Sequence, residues 1–119
     1  MKIKNYKDLD VWKKGIEIVD FAYDMTSRFP SEEKFGLASH MRKTAVSIPS
    51  NIAEGFLRRN SKEYRQFLYV SLGSCGELET QSIIAKRRSY LSDEGFVKLE
   101  DMLDHELKML MNLIKSLRV

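Results

Sequence analysis

The chain has 119 residues, 43% hydrophobic and 31% charged, and a formal net charge of +3 at pH 7. That length suits a single domain over residues 1–119 with a real core, and two prolines and six glycines leave little room for long loops or disordered tracts. No stretch approaches the ~20 apolar residues of a membrane span; Met1–Tyr6 carries Lys2 and Lys4 with no apolar run behind them, and the lone Cys75 excludes an internal disulfide, so a cytoplasmic protein without membrane association is expected.

The first helical pattern runs from about Asp8 to Arg28. It has two apolar stripes: Leu9, Trp12, Ile16, Val19 and Tyr23 on one, and Val11, Gly15, Ile18, Ala22 and Met25 on the other. Phe29-Pro30 stops it. One stripe serves a core; the surplus one is expected to bury against another subunit, with Val11 and Ile18 as the interface residues.

The second pattern is expected to begin with Ser31 as N-cap and Glu32 and Glu33 in the first turn, where carboxylates favour the helix dipole. Ala38, Met41, Ala45, Ile48, Ile52 and Gly55 then keep alternating spacings of three and four as far as Leu57, straight through Pro49. A proline inside a helix removes one donor and crowds the carbonyl four residues back, here Ala45, at ~3 kcal/mol or more. A pattern that survives such a residue is expected to use it as a structural kink, with Ser47, Ser50 and Asn51 beside it to bond freed backbone groups. The other reading makes Pro49 the first residue of a separate helix; we take the kinked continuous helix.

Arg58-Arg59-Asn60 makes a turn, and Asn60 and Glu63 have the spacing of a capping box. The third pattern carries Tyr64, Leu68, Ser71, Cys75, Leu78, Ser82 and Ala85 at heptad spacing. Its small residues Ser71, Gly73, Ser74 and Gly76 suit either a close neighbour in another subunit or the filling of space opposite large rings in the same one. The fourth pattern starts at Ser92, with Asp93 and Glu94 behind it, and has Phe96, Leu99, Leu103, Leu110, Leu113 and Leu117 on its stripe. The fold class is therefore all-α, an antiparallel up-down-up-down four-helix bundle.

Several short runs carry a resemblance. Asp8-Leu9-Asp10-Val11-Trp12, Phe29-Pro30, Gly36-Leu37, Arg42-Lys43, the run Ser47-Ile48-Pro49-Ser50-Asn51-Ile52-Ala53-Glu54-Gly55, Lys62-Glu63-Tyr64, Phe67-Leu68, and Gly73-Ser74 with Glu77-Leu78-Glu79 occur in order. Together they resemble the bacterial four-helix-bundle proteins encoded by intervening sequences of 23S ribosomal RNA genes, and the chain is also similar to the accessory variability protein of diversity-generating retroelements. The resemblance runs from about Tyr6 to Leu117 and is carried mainly by the central run. It implies an antiparallel bundle that assembles as a ring, usually a homopentamer. For the retroelement relative it implies binding of nucleic acid and of a reverse transcriptase; for the ribosomal members it implies no particular activity.

The basic residues are unevenly placed. Residues 30–90 hold ten Lys/Arg against six acids, grouped as Arg42-Lys43, as Arg58, Arg59, Lys62 and Arg65, and as Lys86-Arg87-Arg88. Arg58, Arg59, Lys62 and Arg65 are the candidate nucleic-acid-binding set, at a hairpin tip, with Arg42 and Lys43 as the second choice; phosphate contacts of this kind are salt-dependent and sequence-tolerant. The competing reading makes them solubilising charges near helix ends. No aromatic run interleaves with these bases in the sequence, which argues against a stacking platform for single strands.

Catalytic and metal chemistry find little to stand on. Cys75 falls on a core stripe, His40 and His105 are isolated, and no pair of Glu-x-x-His motifs is present for a di-iron bundle. Glu54, Glu63, Glu77 and Glu79 read as partners of nearby arginines, Arg42 and Arg65 being the candidates. The expectation is a non-enzymatic oligomeric scaffold without cofactor or metal, binding RNA or DNA through its basic patches; the alternative is a protein-binding oligomer with no nucleic-acid role.

Overall fold

The computed structural model describes residues 3–119; Lys2, one of the lysines noted at the start of the chain, lies outside the described residues. Four helices account for most of the rest: α1 (Asp10–Thr26), α2 (Leu37–Leu57), α3 (Ser61–Arg87) and α4 (Asp93–Ser116). Each packs against the next, and α4 closes against α1, giving a bundle 45 × 24 × 20 Å in extent. The long axis follows from the longest helix, because 27 residues at 1.5 Å rise span about 40 Å. No helix is long and apolar enough to cross a membrane among the described residues.

Local chemistry sets the ends. Asn60 caps α3 by accepting from the Glu63 N–H at 3.1 Å, and Ser92 caps α4 by accepting from the Gly95 N–H at 3.0 Å. The start of α2 differs from expectation. Ser31–Glu33 form a separate 3-10 turn after Pro30, and the α-helix begins only at Leu37. Gly36, with φ −109 and ψ −116, breaks the chain direction, so Ser31 cannot cap the helix. Glu33 does so from outside: its Oε1 accepts from the Leu37 N–H at 3.1 Å. Its Oε2 accepts from the Tyr90 hydroxyl at 3.1 Å, joining the entry to α2 with the α3–α4 connection. Likewise α1 begins at Asp10 rather than Asp8, preceded by a 3-10 turn at Tyr6–Asp8 in which Asn5 Oδ1 accepts from the Lys7 N–H.

α2 runs through Pro49 as one helix. The missing Pro49-to-Ala45 bond, where helices bend, is offset by burial on both sides: Ala45, Ile48, Pro49 and Ile52 are all in the core. The polar neighbours act much as expected. Asn51 Nδ2 donates to the Ser47 carbonyl at 2.8 Å, and Ser71 on α3 donates to the Ile48 carbonyl at 2.9 Å.

The two stripes of α1 exchange roles relative to the expectation. Val11 and Ile18 are 5% and 0% exposed within a single chain and belong to its own core. Trp12, Ile16 and Val19 are only half-buried, and Tyr23 is exposed. Val11 and Ile18 therefore cannot form a subunit interface without unpacking the bundle. The reason is geometric: with α2 on one side and α4 on the other, the stripe holding Gly15 points at the bundle axis, because Gly15 is what lets Pro49 and Glu106 come close.

The small residues of α3 also divide. Ser71 and Ser74 face α2, where the hydroxyls of Ser47 and Ser74 lie 2.6 Å apart. Gly73 and Gly76 face outward, and a Cβ at either would meet nothing within 4 Å. Gly55 is the opposite case: a Cβ there would stand 2.7 Å from Phe67 Cβ and 3.2 Å from the Tyr64 carbonyl, so the close approach of α2 to α3 depends on its missing side chain.

Candidate functional site

The α2–α3 turn places Arg58 and Arg59 at one end of the bundle, with Arg59 in the left-handed region at φ 59. The four tip cations are not equivalent. Arg58 is engaged within the chain: its guanidinium lies 5.0 Å from the Phe67 ring centre, 3.5 Å from Glu54 and 4.0 Å from Glu63. Arg65 is half-buried on α3, whereas Arg59 and Lys62 are exposed and make no ion pair among the described residues.

Beside Arg59 is a hollow of ≈570 Å³ lined by Ile3, Lys4, Phe56, Arg59, Asn60, Ser61 and Tyr64. Its aromatic wall belongs to a chain of edge-on rings: Trp12 to Tyr6 at 5.6 Å, Tyr6 to Phe56 at 6.5 Å, Phe56 to Tyr64 at 5.9 Å. Burial pushes the Tyr64 phenol up to about 12, so it stays neutral. The sequence offers no aromatic run among the bases, yet the fold assembles one from the N-terminal turn, α1, α2 and α3. These rings pack edge-on against one another and are part-exposed beside the tip charges. Residues 6, 12, 56 and 64 are too far apart in the chain for a local pattern to reveal this packing.

The second-choice pair separates as well. Arg42 is partly buried, donates from Nε to Thr26 Oγ1 at 2.8 Å and stacks 4.8 Å from the Tyr23 ring centre. Lys43 is exposed. At the far end of the bundle Lys86 lies 3.9 Å from Asp93 and 4.5 Å from the Phe96 ring centre. Of the acids expected to pair with Arg42 or Arg65, Glu54 and Glu63 both take Arg58 instead, because the helix turn and the capping geometry bring that side chain across.

Two carboxyl groups escape the sequence reading. Glu106 on α4 is 0% exposed, and neither oxygen has a hydrogen-bond partner among the described residues. Burial, only partly countered by Lys14, raises its carboxyl to about 8. The signal was a vacancy in a rhythm: Leu99, Leu103 and Leu110 leave 106 as the missing core position. Glu100, also on α4, is raised to about 7 by burial and then by the Glu79 carboxyl beside it on α3. Cys75 is fully buried, and burial with the nearby Glu106 pushes its thiol up to about 12, which leaves it an unreactive core residue in the closed fold. His40 and His105 are exposed on different helices, and no three His, Cys, Asp or Glu side chains meet as a metal site among the described residues.

The fold and this site define a small antiparallel four-helix bundle with a basic, aromatic-walled tip. The chain matches the 23S rRNA-intervening sequence protein family over residues 7–112 and belongs to that family. Among solved structures it is similar to a protein of unknown function from the S23 ribosomal protein family of Bacteroides thetaiotaomicron, with a TM-score of 0.82 at 20% sequence identity, covering 89% of this chain and 96% of that one. At that identity the likeness speaks for the fold. Comparison with curated proteins yields no match.

Proposed function

We propose that the protein is a non-enzymatic accessory scaffold that works as a cytoplasmic oligomer and holds RNA or DNA at its hairpin tip. The observation that carries this reading is the tip hollow, where Arg59 and Lys4, without an ion pair among the described residues, adjoin the rings of Phe56 and Tyr64. Cations supply salt-dependent attraction for phosphate, and aromatic faces accept any base, so the pairing suits single-stranded or looped nucleic acid without sequence preference. Lys62, Lys43 and the half-buried Arg65 extend the field, while Arg42 and Arg58 mainly hold the fold. A ring of usually five copies, as the likeness to the intervening-sequence and accessory variability proteins implies, would repeat the tip around an axis and add its weak contacts together. A protein partner such as a reverse transcriptase belongs to the same proposal.

Fluorescence polarisation with a labelled RNA hairpin and a single strand, at two salt concentrations, tests it. Replacing Arg59 by Gly and Lys62 by Ala removes two cations, and Gly is at ease at the left-handed position. The slope of log affinity against log salt should fall by about 1.5. No binding at low salt, or an unchanged slope, would leave the second reading.

That second reading is a protein-binding oligomer with no nucleic-acid role, favoured by the outer face of α3. Tyr69, Val70, Ile83 and Ile84 are exposed there around the open Gly73 and Gly76. Sedimentation velocity at micromolar concentration checks the assembly common to both readings. A clean wild-type monomer would remove the ring from each.

A further inference from the structure

At one level of the bundle all four helices meet around a buried carboxyl without a partner among the described residues. α1 supplies Gly15, whose absent side chain lets α2 and α4 in: a Cβ there would be 3.2 Å from Pro49 Cβ and 3.3 Å from Glu106 Oε2. α2 supplies Pro49, which lacks its intrahelical bond. α4 supplies Glu106, fully buried and without a hydrogen-bond partner among the described residues. α3 supplies the buried Cys75, within electrostatic reach of Glu106. A buried polar group without a partner bears a desolvation cost that water entering beside it would relieve.

We infer that the Gly15–Pro49–Cys75–Glu106 level is a proton-operated opening point: closed while the Glu106 carboxyl is neutral, and admitting water between α1 and α4 when it ionises. The α1–α4 seam is the one that yields, since these two helices are not consecutive in the chain, whereas each of the other seams is bridged by the segment joining its two helices. The groups facing Glu106 do not rescue its charge. On α1, Lys14 favours ionisation and Glu17 opposes it, and Lys14 is paired with Glu17 at 3.4 Å. On α2, Pro49 is uncharged; on α3, Cys75 is neutral while the bundle is closed. The raised Glu106 value, about 8, places the event just above neutral pH.

Cys75 is a built-in reporter. Its rate of reaction with a disulfide reagent is measured from about pH 6 to 8 in the wild type, in Glu106→Gln and in Glu106→Leu. An opened thiol reacts as the thiolate, which gives one power of hydroxide; loss of the Glu106 proton on opening adds a second. The slope of log rate against pH should be about two in the wild type and about one in both variants. The wild-type rate should also be indifferent to urea well below the unfolding midpoint, because a local opening exposes little surface. A wild-type slope of one overturns the proposal whatever the variants do. So does a rate that climbs with dilute urea as global unfolding would.

Discussion

Replacing Glu106 by Gln keeps the shape of the side chain and removes its proton equilibrium. The Glu106 carboxyl stands at about 8 in the folded chain against 4.5 ordinarily. A folded value above the unfolded one means that, between those two pH values, the folded state holds a proton the unfolded state has lost. The contribution is therefore fully favourable below about pH 4.5, is lost as pH rises, and levels off above about 8. Each pH unit in the window removes at most ~1.4 kcal/mol, so near pH 7 the wild type forgoes about 3 kcal/mol relative to a side chain that never ionises. Urea unfolding of wild type and Glu106→Gln at pH 5, 6, 7 and 8 reads this directly. The advantage of Gln should be under ~1 kcal/mol at pH 5 and grow to ~4 kcal/mol at pH 8, worth roughly 15 °C in midpoint for a chain of this size. Glu100 titrates in the same range, but it is present in both proteins and cancels in their difference. Parallel stability curves would show that Glu106 is hydrated or paired in solution, and the argument from its burial would fail.

The packing makes further demands. Gly55→Ala should destabilise by ~1–3 kcal/mol despite its better helix propensity, since its Cβ would press on Phe67 and on the Tyr64 carbonyl. Gly73→Ala, with open space around it, should raise the stability of the single chain by up to ~1 kcal/mol, and thermal melts of the two variants check the pair. If Gly73 lies in a subunit interface, the same substitution should lower the oligomer's sedimentation coefficient. Ile18→Glu should cost ~3 kcal/mol or more and unfold the chain rather than release a folded monomer, seen as loss of helical circular dichroism. Pro49→Ala should keep the helix count and alter the assembly; an identical oligomer by light scattering would remove any role of Pro49 in assembly.

Much of the fold was legible because helix patterns are local. The stripes of α2 and α3 match their buried faces, and the caps Asn60 and Ser92 sit where the chain places a short polar side chain before a run of apolar spacing. The start of α2 was misread because Ser31, Glu32 and Glu33 suit a 3-10 turn as well as a first α-turn, and only the Gly36 backbone and the reach of Glu33 to Leu37 decide between them. The site was less legible. Six basic residues look alike in a sequence, but Arg42 is held by Thr26 and Tyr23, and Arg58 by Phe67, Glu54 and Glu63.

By itself the sequence determined the class of fold, the helix count, the continuity of α2 through Pro49 and the burial of Cys75, since each follows from spacing along one helix. Tertiary structure alone decided which stripe of α1 faces the axis, which small residues of α3 meet α2, and that rings from the N-terminal turn and three helices gather beside Arg59. The α4 spacing marks position 106 as a core position, and tertiary structure decided that its carboxyl stays there without a partner. A helix with two apolar stripes has two orientations of similar hydrophobic value, and the choice falls to contacts between helices: here a glycine that admits a proline ring and a carboxyl.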